Sequence, residues 1–252
     1  IEVTNSNDII DVAEEWGHWN SAMWPRNCLR LRQNGGSAEG IILTGWNPSF
    51  LKNPNFAIDR FSVFVAFKKE GNPDGNGKII FGNISASSRY GFGFYYDSAS
   101  RLVAVTRSQT QQYAITISDV SWANDGKIAF IHISFDGTQL IMKELLSNTI
   151  LGTDNTISAV TPTLTYDLVI GKGEATSSTG VAFKGQIACI AVWNKNKTDD
   201  EVLSLDDDNL EFLTSFSKDN GSIFLDESGK NVPMNFTGGL TLVNALNDPQ
   251  YF

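Results

Sequence analysis

Histidine and cysteine occur only twice each in this 252-residue chain, as His18, His132, Cys28 and Cys189. Two cysteines exclude a disulfide-rich scaffold and any four-cysteine zinc site. Two histidines give a Ser-His-Asp arrangement no natural home. Charge is scarce too, at 19% of residues, and it is unbalanced: 19 Lys and Arg against 28 Asp and Glu, a net charge of −9. No basic cluster offsets this excess, so a nucleic-acid partner is not expected. The longest apolar runs, "KIAFIHISF" and "GQIACIAVW", are of strand length. They fall well short of the roughly 18 residues that cross a bilayer, and no membrane insertion is expected. No recognisable signal peptide opens the chain, so targeting signals do not fix its compartment.

What the chain has in quantity is apolar and turn-forming residues. Hydrophobic residues make up 41%, with 22 Gly and 16 Phe, which implies a large core with many turns. Residues 61–68, 78–85, 90–97, 101–107, 113–118, 126–136, 138–146 and 166–172 alternate in polarity or are rich in β-branched and aromatic side chains, and each reads as a strand. Asp97-Ser98-Ala99-Ser100, Asp125-Gly126 and Asp136-Gly137 supply turns, the last at the tip of a hairpin. Many short strands at short intervals predict a sandwich or barrel. Phe92, Phe94, Val103, Val105, Ile128, Phe130, Ile131 and Ile133 are expected to dominate its core.

Three segments follow. Residues 1–27 form a docking segment, in which Ile9, Ile10, Val12, Ala13 and Trp16 fall at roughly helical spacing. Trp16, Trp19 and Trp24 there either dock on the sandwich or meet another subunit. Residues 28–205 form the sandwich. Residues 206–252 form a tail that returns to it. Within "FKGQIACIAVWNKNKTDDEVLSL" a strand runs into a short helix, with Thr198 and Glu201 spaced as a capping box and Asp199, Asp200 and Glu201 at the positive helix end.

Gly185, Ile187, Ile190, Val192, Trp193, Asn194, Thr198, Glu201 and Val202 resemble the last core strand and short helix of laminin-G-like and pentraxin-like domains of the concanavalin A-like lectin/glucanase superfamily. "FAIDRFSVFVAFKK", the hairpin from Gly126 and "YDLVIGKG" extend the resemblance over roughly residues 28–205. It implies an all-β, two-sheet antiparallel jelly roll with one short capping helix, and first and last core strands side by side. Cys28 and Cys189 could then face each other; a disulfide and two free thiols both stay open. The tail stretch "FLDESGKNVPMNFTGG" resembles a turn that often opens such domains.

The superfamily also holds glycoside hydrolases and polysaccharide lyases. Retaining glucanases need two carboxylates about 5 Å apart, and no Glu-x-Asp-x-x-Glu arrangement exists to supply them. A lyase-like Gln-x-His strand is also missing, because His132 has no Gln two residues before it; His132 reads as a packed residue. The chain is therefore not expected to be an enzyme. Glycan recognition uses aromatic rings beside polar groups. Trp46 and Asn47 in one loop, with Tyr95, Arg107 and Tyr113 on successive strands, are the candidate ligand-binding residues. Gly91, Gly93 and Tyr95 should share one face of their strand, which would admit a ligand or another backbone. Asn72, Asp74 and Asn76 alternate like the first half of a calcium loop, although Asn83 stands where a bidentate Glu is needed. The expected function is non-catalytic binding of a glycan or cell-surface receptor, as an adhesion or host-attachment module, with Ca2+ as the candidate cofactor. The alternative is a structural subunit of an extracellular or virion assembly, such as a fibre or capsid decoration. The family resemblance implies an extracellular or virion-surface location.

Overall fold

The computed structural model describes residues 9–11, 27–31, 40–48, 59–69, 78–84, 90–108, 110–118, 128–159, 167–172, 183–215 and 226–237. Its strands are β1 (Ile9–Asp11), β2 (Asn27–Leu31), β3 (Gly40–Leu43), β4 (Phe61–Lys69), β5 (Lys78–Gly82), β6 (Gly91–Tyr96), β7 (Leu102–Arg107), β8 (Gln111–Ile117), β9 (Ile128–Phe135), β10 (Leu140–Glu144), β11 (Thr149–Asp154), β12 (Ser158–Ala159), β13 (Leu168–Ile170), β14 (Gly185–Trp193), β15 (Leu210–Thr214) and β16 (Met234–Thr237). The one helix, α1, spans Asp199–Leu203.

The strands form two antiparallel sheets, a jelly-roll sandwich. Sheet A runs β1-β2-β14-β4-β9-β10-β11, and sheet B runs β12-β8-β7-β6-β5-β13-β3-β16. β14 is long enough to serve two partners on one edge: Gly185–Ile187 pair with β2, and Ile190–Trp193 pair with β15. The first core strand thus lies beside the last. Cys189 is a free, buried thiol, so it takes part in no disulfide. Burial pushes that thiol well above its ordinary titration range, and Glu227 adds to the shift.

Alternation decides what lies between the sheets. Val63, Val65 and Phe67 of β4 face inward, as do Ile131 and Ile133 of β9. Phe92 and Phe94 of β6 meet them edge-on, with Phe61–Phe92 and Phe67–Phe94 ring centroids 5.7 and 5.6 Å apart. Each such ring removed from water stabilises the fold by roughly 2–3 kcal/mol. β14 keeps both Ile187 and Ile190 inward because its register against β4 shifts between Ile187 and Cys189.

Sheet A has a second apolar layer on its outer side. Phe64, Ala66, Phe130, Ala188, Ala191 and Trp193 pack there against Val202 of α1. This corrects the expected core. Phe130 belongs to this outer layer. Val103 and Val105 are buried but sit on the outer side of sheet B, across from Tyr95 and Gly93. The side chain of Ile128 lies outside the described residues. The N-terminal expectation is corrected as well: Ile9–Asp11 pair with Asn27–Leu29 of β2 as a strand, because the edge of β2 satisfies their backbone better than a short isolated helix would. The rest of residues 1–27, including the three tryptophans, lies outside the described residues.

Candidate functional site

Two places hold the expected ligand-binding residues. The first is the turn after β3. Trp46 N–H donates to the Leu43 carbonyl at 3.3 Å, which closes a turn through Thr44 and Gly45. Gly45 has φ +69°, a left-handed conformation that favours glycine, and a Cβ there would meet no other atom within 4 Å. The neighbouring chain fixes this turn. Gly45 N–H donates to Asp167 Oδ1 at 3.0 Å, and Asn235 Nδ2 donates to Thr44 Oγ1 at 2.7 Å. Trp46 is half-buried, with its ring tilted against Phe212 at 5.3 Å. Asn47 is also half-buried, and its Oδ1 accepts no hydrogen bond. Trp46 therefore ends a turn that Asp167 and Asn235 hold through Gly45 and Thr44, with open space beside Gly45. Sequence reading singled out Trp46 and Asn47 because they are adjacent. It did not single out Asp167 and Asn235, which strand pairing delivers to this turn from about 120 and 190 residues away.

The second place is the outer side of sheet B. Tyr95 and Arg107 share that side, since Gly91 pairs with Arg107 and Tyr95 with Val103. Burial raises the Tyr95 phenol, and the nearby Arg107 guanidinium pulls it partly back. Arg107 is itself buried, donates from Nε to Gln112 Oε1 at 2.7 Å, and also engages Gln112 through Nη2. Burial lowers its pKa. The glycine face beside Tyr95 holds backbone. A Cβ on Gly91 would overlap the Asn83 side chain, and one on Gly93 would overlap the Ile84 carbonyl oxygen. Asn83 also accepts from Phe92 N–H at 3.1 Å. Residues 83 and 84 thus cross where a ligand was one option.

Tyr113 joins neither place. It points between the sheets, 4% exposed, against Phe135 at 4.8 Å. The alternation of β8 puts it one step out of phase with the outer side. The Trp46 turn lies four strand positions from β7, about 19 Å away at the usual strand spacing. The five residues therefore do not form one site. Asn72, Asp74 and Asn76 lie outside the described residues. Among the described residues, no group of three His, Cys, Asp or Glu side chains could hold a metal, and no helix is long and apolar enough to cross a membrane.

A constellation that sequence reading gave no home does exist. His132 Nδ1 lies 3.0 Å from Asp199 Oδ1, and its Nε2 lies 3.1 Å from Ser62 Oγ. The connectivity is that of a serine nucleophile, its base and an orienting carboxylate. Ser62, however, is 0% exposed, and its oxygen already accepts the Lys197 N–H at 2.9 Å. A hydroxyl sealed in this way cannot meet a substrate. The three residues are 67 and 70 positions apart, and only the register of β4 against β9 and the placement of α1 unite them.

A sequence profile described as the concanavalin A-like lectin/glucanases superfamily matches residues 47–203. The chain belongs to this superfamily. No curated protein matches it. Among solved structures, a Ruminococcus gnavus IT-sialidase CBM40 bound to alpha2,3 sialyllactose is 11% identical, covering 71% of this chain and 97% of that one, with a TM-score of 0.49. A leech intramolecular trans-sialidase complexed with 2,7-anhydro-Neu5Ac is 15% identical over 70% of this chain and 27% of that one, at 0.47. A native heptameric SAP-like pentraxin from Limulus polyphemus is 13% identical over 69% and 77%, at 0.40. The profile spans the concanavalin A-like strands from the Trp46 turn's Asn47 to the end of α1.

Proposed function

We propose that this protein is a non-catalytic glycan-binding module whose contact site is the Trp46–Asn47 turn. The observation that carries the reading is the half-buried indole of Trp46, backed by Phe212, in a turn whose Gly45 N–H is held by Asp167 and whose Thr44 hydroxyl is held by Asn235. Sugars present an apolar face of C–H groups and a rim of hydroxyls. A ring fixed from behind offers a stacking platform, and amide and carboxylate groups beside it match hydroxyl donors and acceptors. Membership of a superfamily that takes its name partly from lectins supports this reading, and the sealed Ser62 supports the non-catalytic part of it. On this reading the module acts at an extracellular or virion surface. Calcium, if used, enters through Asn72, Asp74 and Asn76.

The test is a glycan array read with calcium and with chelator, using the wild-type chain and Trp46→Ala. Wild-type binding that falls about tenfold or more in Trp46→Ala is expected, the loss that one stacking platform accounts for. Retention of full binding in the variant, or no binding by the wild type, would sink the proposal. Loss with chelator alone would move attention to the Asp74 loop.

A second reading has its own observation. Leu146, Ile150 and Ile157 are exposed large apolar residues around β11, the outermost strand of sheet A. An edge strand flanked by apolar side chains suits contact with another subunit in an assembly. Light scattering across a concentration series separates the two readings: a monomer throughout argues against the assembly.

A further inference from the structure

Building on the glycan-binding reading above, we propose that Asp167 makes the Trp46 turn selective for neutral sugars and sets it against acidic ones, such as sialic and uronic acids. Asp167 stands just before β13. The antiparallel pairing of β13 with β3, with Leu168 opposite Leu43, brings its carboxylate to the turn that leaves β3. There Oδ1 accepts the Gly45 N–H at 3.0 Å. That bond leaves most of the carboxylate unused. An ionised carboxylate has two oxygens with about four acceptor positions, and among the described residues Oδ2 receives no hydrogen bond.

Asp167 is half-buried and bonded to the most open residue of the turn. Gly45 is exposed, and a Cβ there would meet no atom within 4 Å. A sugar resting on the Trp46 indole lies one residue from this opening. What it meets there follows from donors and acceptors. Asp167 only accepts, so it needs a hydrogen from the ligand, and bonds to a charged acceptor are about twice as strong as neutral ones. Thr44 supplies the complement. Its oxygen takes Asn235 Nδ2 at 2.7 Å, which leaves its own hydrogen to donate outward from an exposed side chain. The turn therefore offers an acceptor and a donor to the hydroxyls of a neutral sugar.

A carboxylate on the ligand changes both terms. It offers Asp167 no hydrogen, and two like charges about 6 Å apart near a protein surface repel enough to weaken binding about tenfold. Among the described residues no cation bonds to the turn to offset this: the side chains that hold it are Asp167, Asn235 and Phe212. The chain's net charge of −9 acts in the same direction at longer range. Asp167 thus has two roles through two oxygens. Oδ1 fixes the backbone of the turn, and Oδ2 sorts the sugars that reach it.

The test is an array of matched glycan pairs, probed with the full chain: lactose and N-acetyllactosamine chains with and without terminal sialic acid, and galactose and glucose oligomers against the corresponding uronic-acid oligomers. In every pair that is bound, the neutral member should bind about tenfold or more tightly than the acidic one. That gap should shrink in the wild type as salt is raised from about 0.05 M to about 0.5 M. Asp167→Asn keeps an acceptor for the Gly45 N–H and removes only the charge, so the gap should fall to about twofold. Equal or tighter binding of the acidic members by the wild type would overturn the proposal while leaving the glycan-binding reading intact, provided Trp46→Ala still abolishes the signal. A gap that persists in Asp167→Asn would assign it to overall charge and overturn the role of Asp167. No binding to any pair would overturn both readings.

Discussion

At the scale of single residues, the close approach of Asn83 and Ile84 to β6 explains why two glycines stand in a strand that is otherwise aromatic. Gly93→Ala would push a methyl group into the Ile84 carbonyl oxygen, which is backbone and cannot rotate aside. We expect a loss of about 1–3 kcal/mol, the range for overpacking a tight interior, read as a lower urea midpoint. An unchanged midpoint would mean that residues 83 and 84 do not cross this face. Asp199 makes a separate, acid-range prediction. Its folded pKa of about 2 lies below the unfolded value near 3.9, so its contribution is complete above that unfolded value and fades as pH falls through about 2. Urea midpoints of the wild type between pH 5 and pH 2 should therefore fall more steeply than those of Asp199→Asn. Parallel curves would show that the His132 and Lys143 contacts are not formed in solution.

At the scale of elements, α1 is only five residues long and depends on its cap. Thr198 Oγ1 accepts the Glu201 N–H at 3.3 Å, and Glu201 Oε2 receives the Thr198 N–H at 2.7 Å. Thr198→Ala should cost about 1 kcal/mol and lower the thermal midpoint, with faster exchange confined to residues 198–206. An unchanged midpoint would show that Val202 docking alone holds the turn. This capping box was legible in the sequence because its signal is local, two residues three positions apart. The strands from β4 to β14, except β11 and β12, were legible for a similar reason: alternation and Asp-Gly turns are written along the chain. β1 was misread because Ile9, Ile10 and Val12 fit a helical stripe, and only the partner β2 decides otherwise. Tyr113 was misread because a strand's residue types do not reveal which phase of its alternation faces inward. The Ser62–His132–Asp199 cluster and the Asp167 and Asn235 contacts were not legible at all, since register between distant strands creates them.

At the scale of the whole molecule, the C-terminal segment ties both sheets and the candidate glycan site together. β15 extends sheet A and β16 closes the β3 edge of sheet B. Between them Asp226 accepts N–H groups of Leu213, Ser228 and Val232, so one carboxylate joins the strand leaving sheet A to the segment entering sheet B. Glu227 adds bonds to Ser215 N–H and Oγ at 2.8 and 2.5 Å. Asn235 then reaches Thr44 in the Trp46 turn. A chain ending at Ser215 keeps Phe212 behind Trp46 but loses Asp226, Glu227, β16 and the Asn235 contact. It also leaves β3 with an open edge, an invitation to pair with another chain. We expect this chain to melt at a lower temperature, to self-associate, and to lose glycan retention together with stability. Asn235→Ala in the full chain separates the causes: it should weaken glycan binding while leaving the melting temperature within the small range usual for an exposed side chain. If the truncated chain melts and binds like the full one, the segment is an appendage. If Asn235→Ala alone reproduces the binding loss, the segment acts by positioning the Trp46 turn.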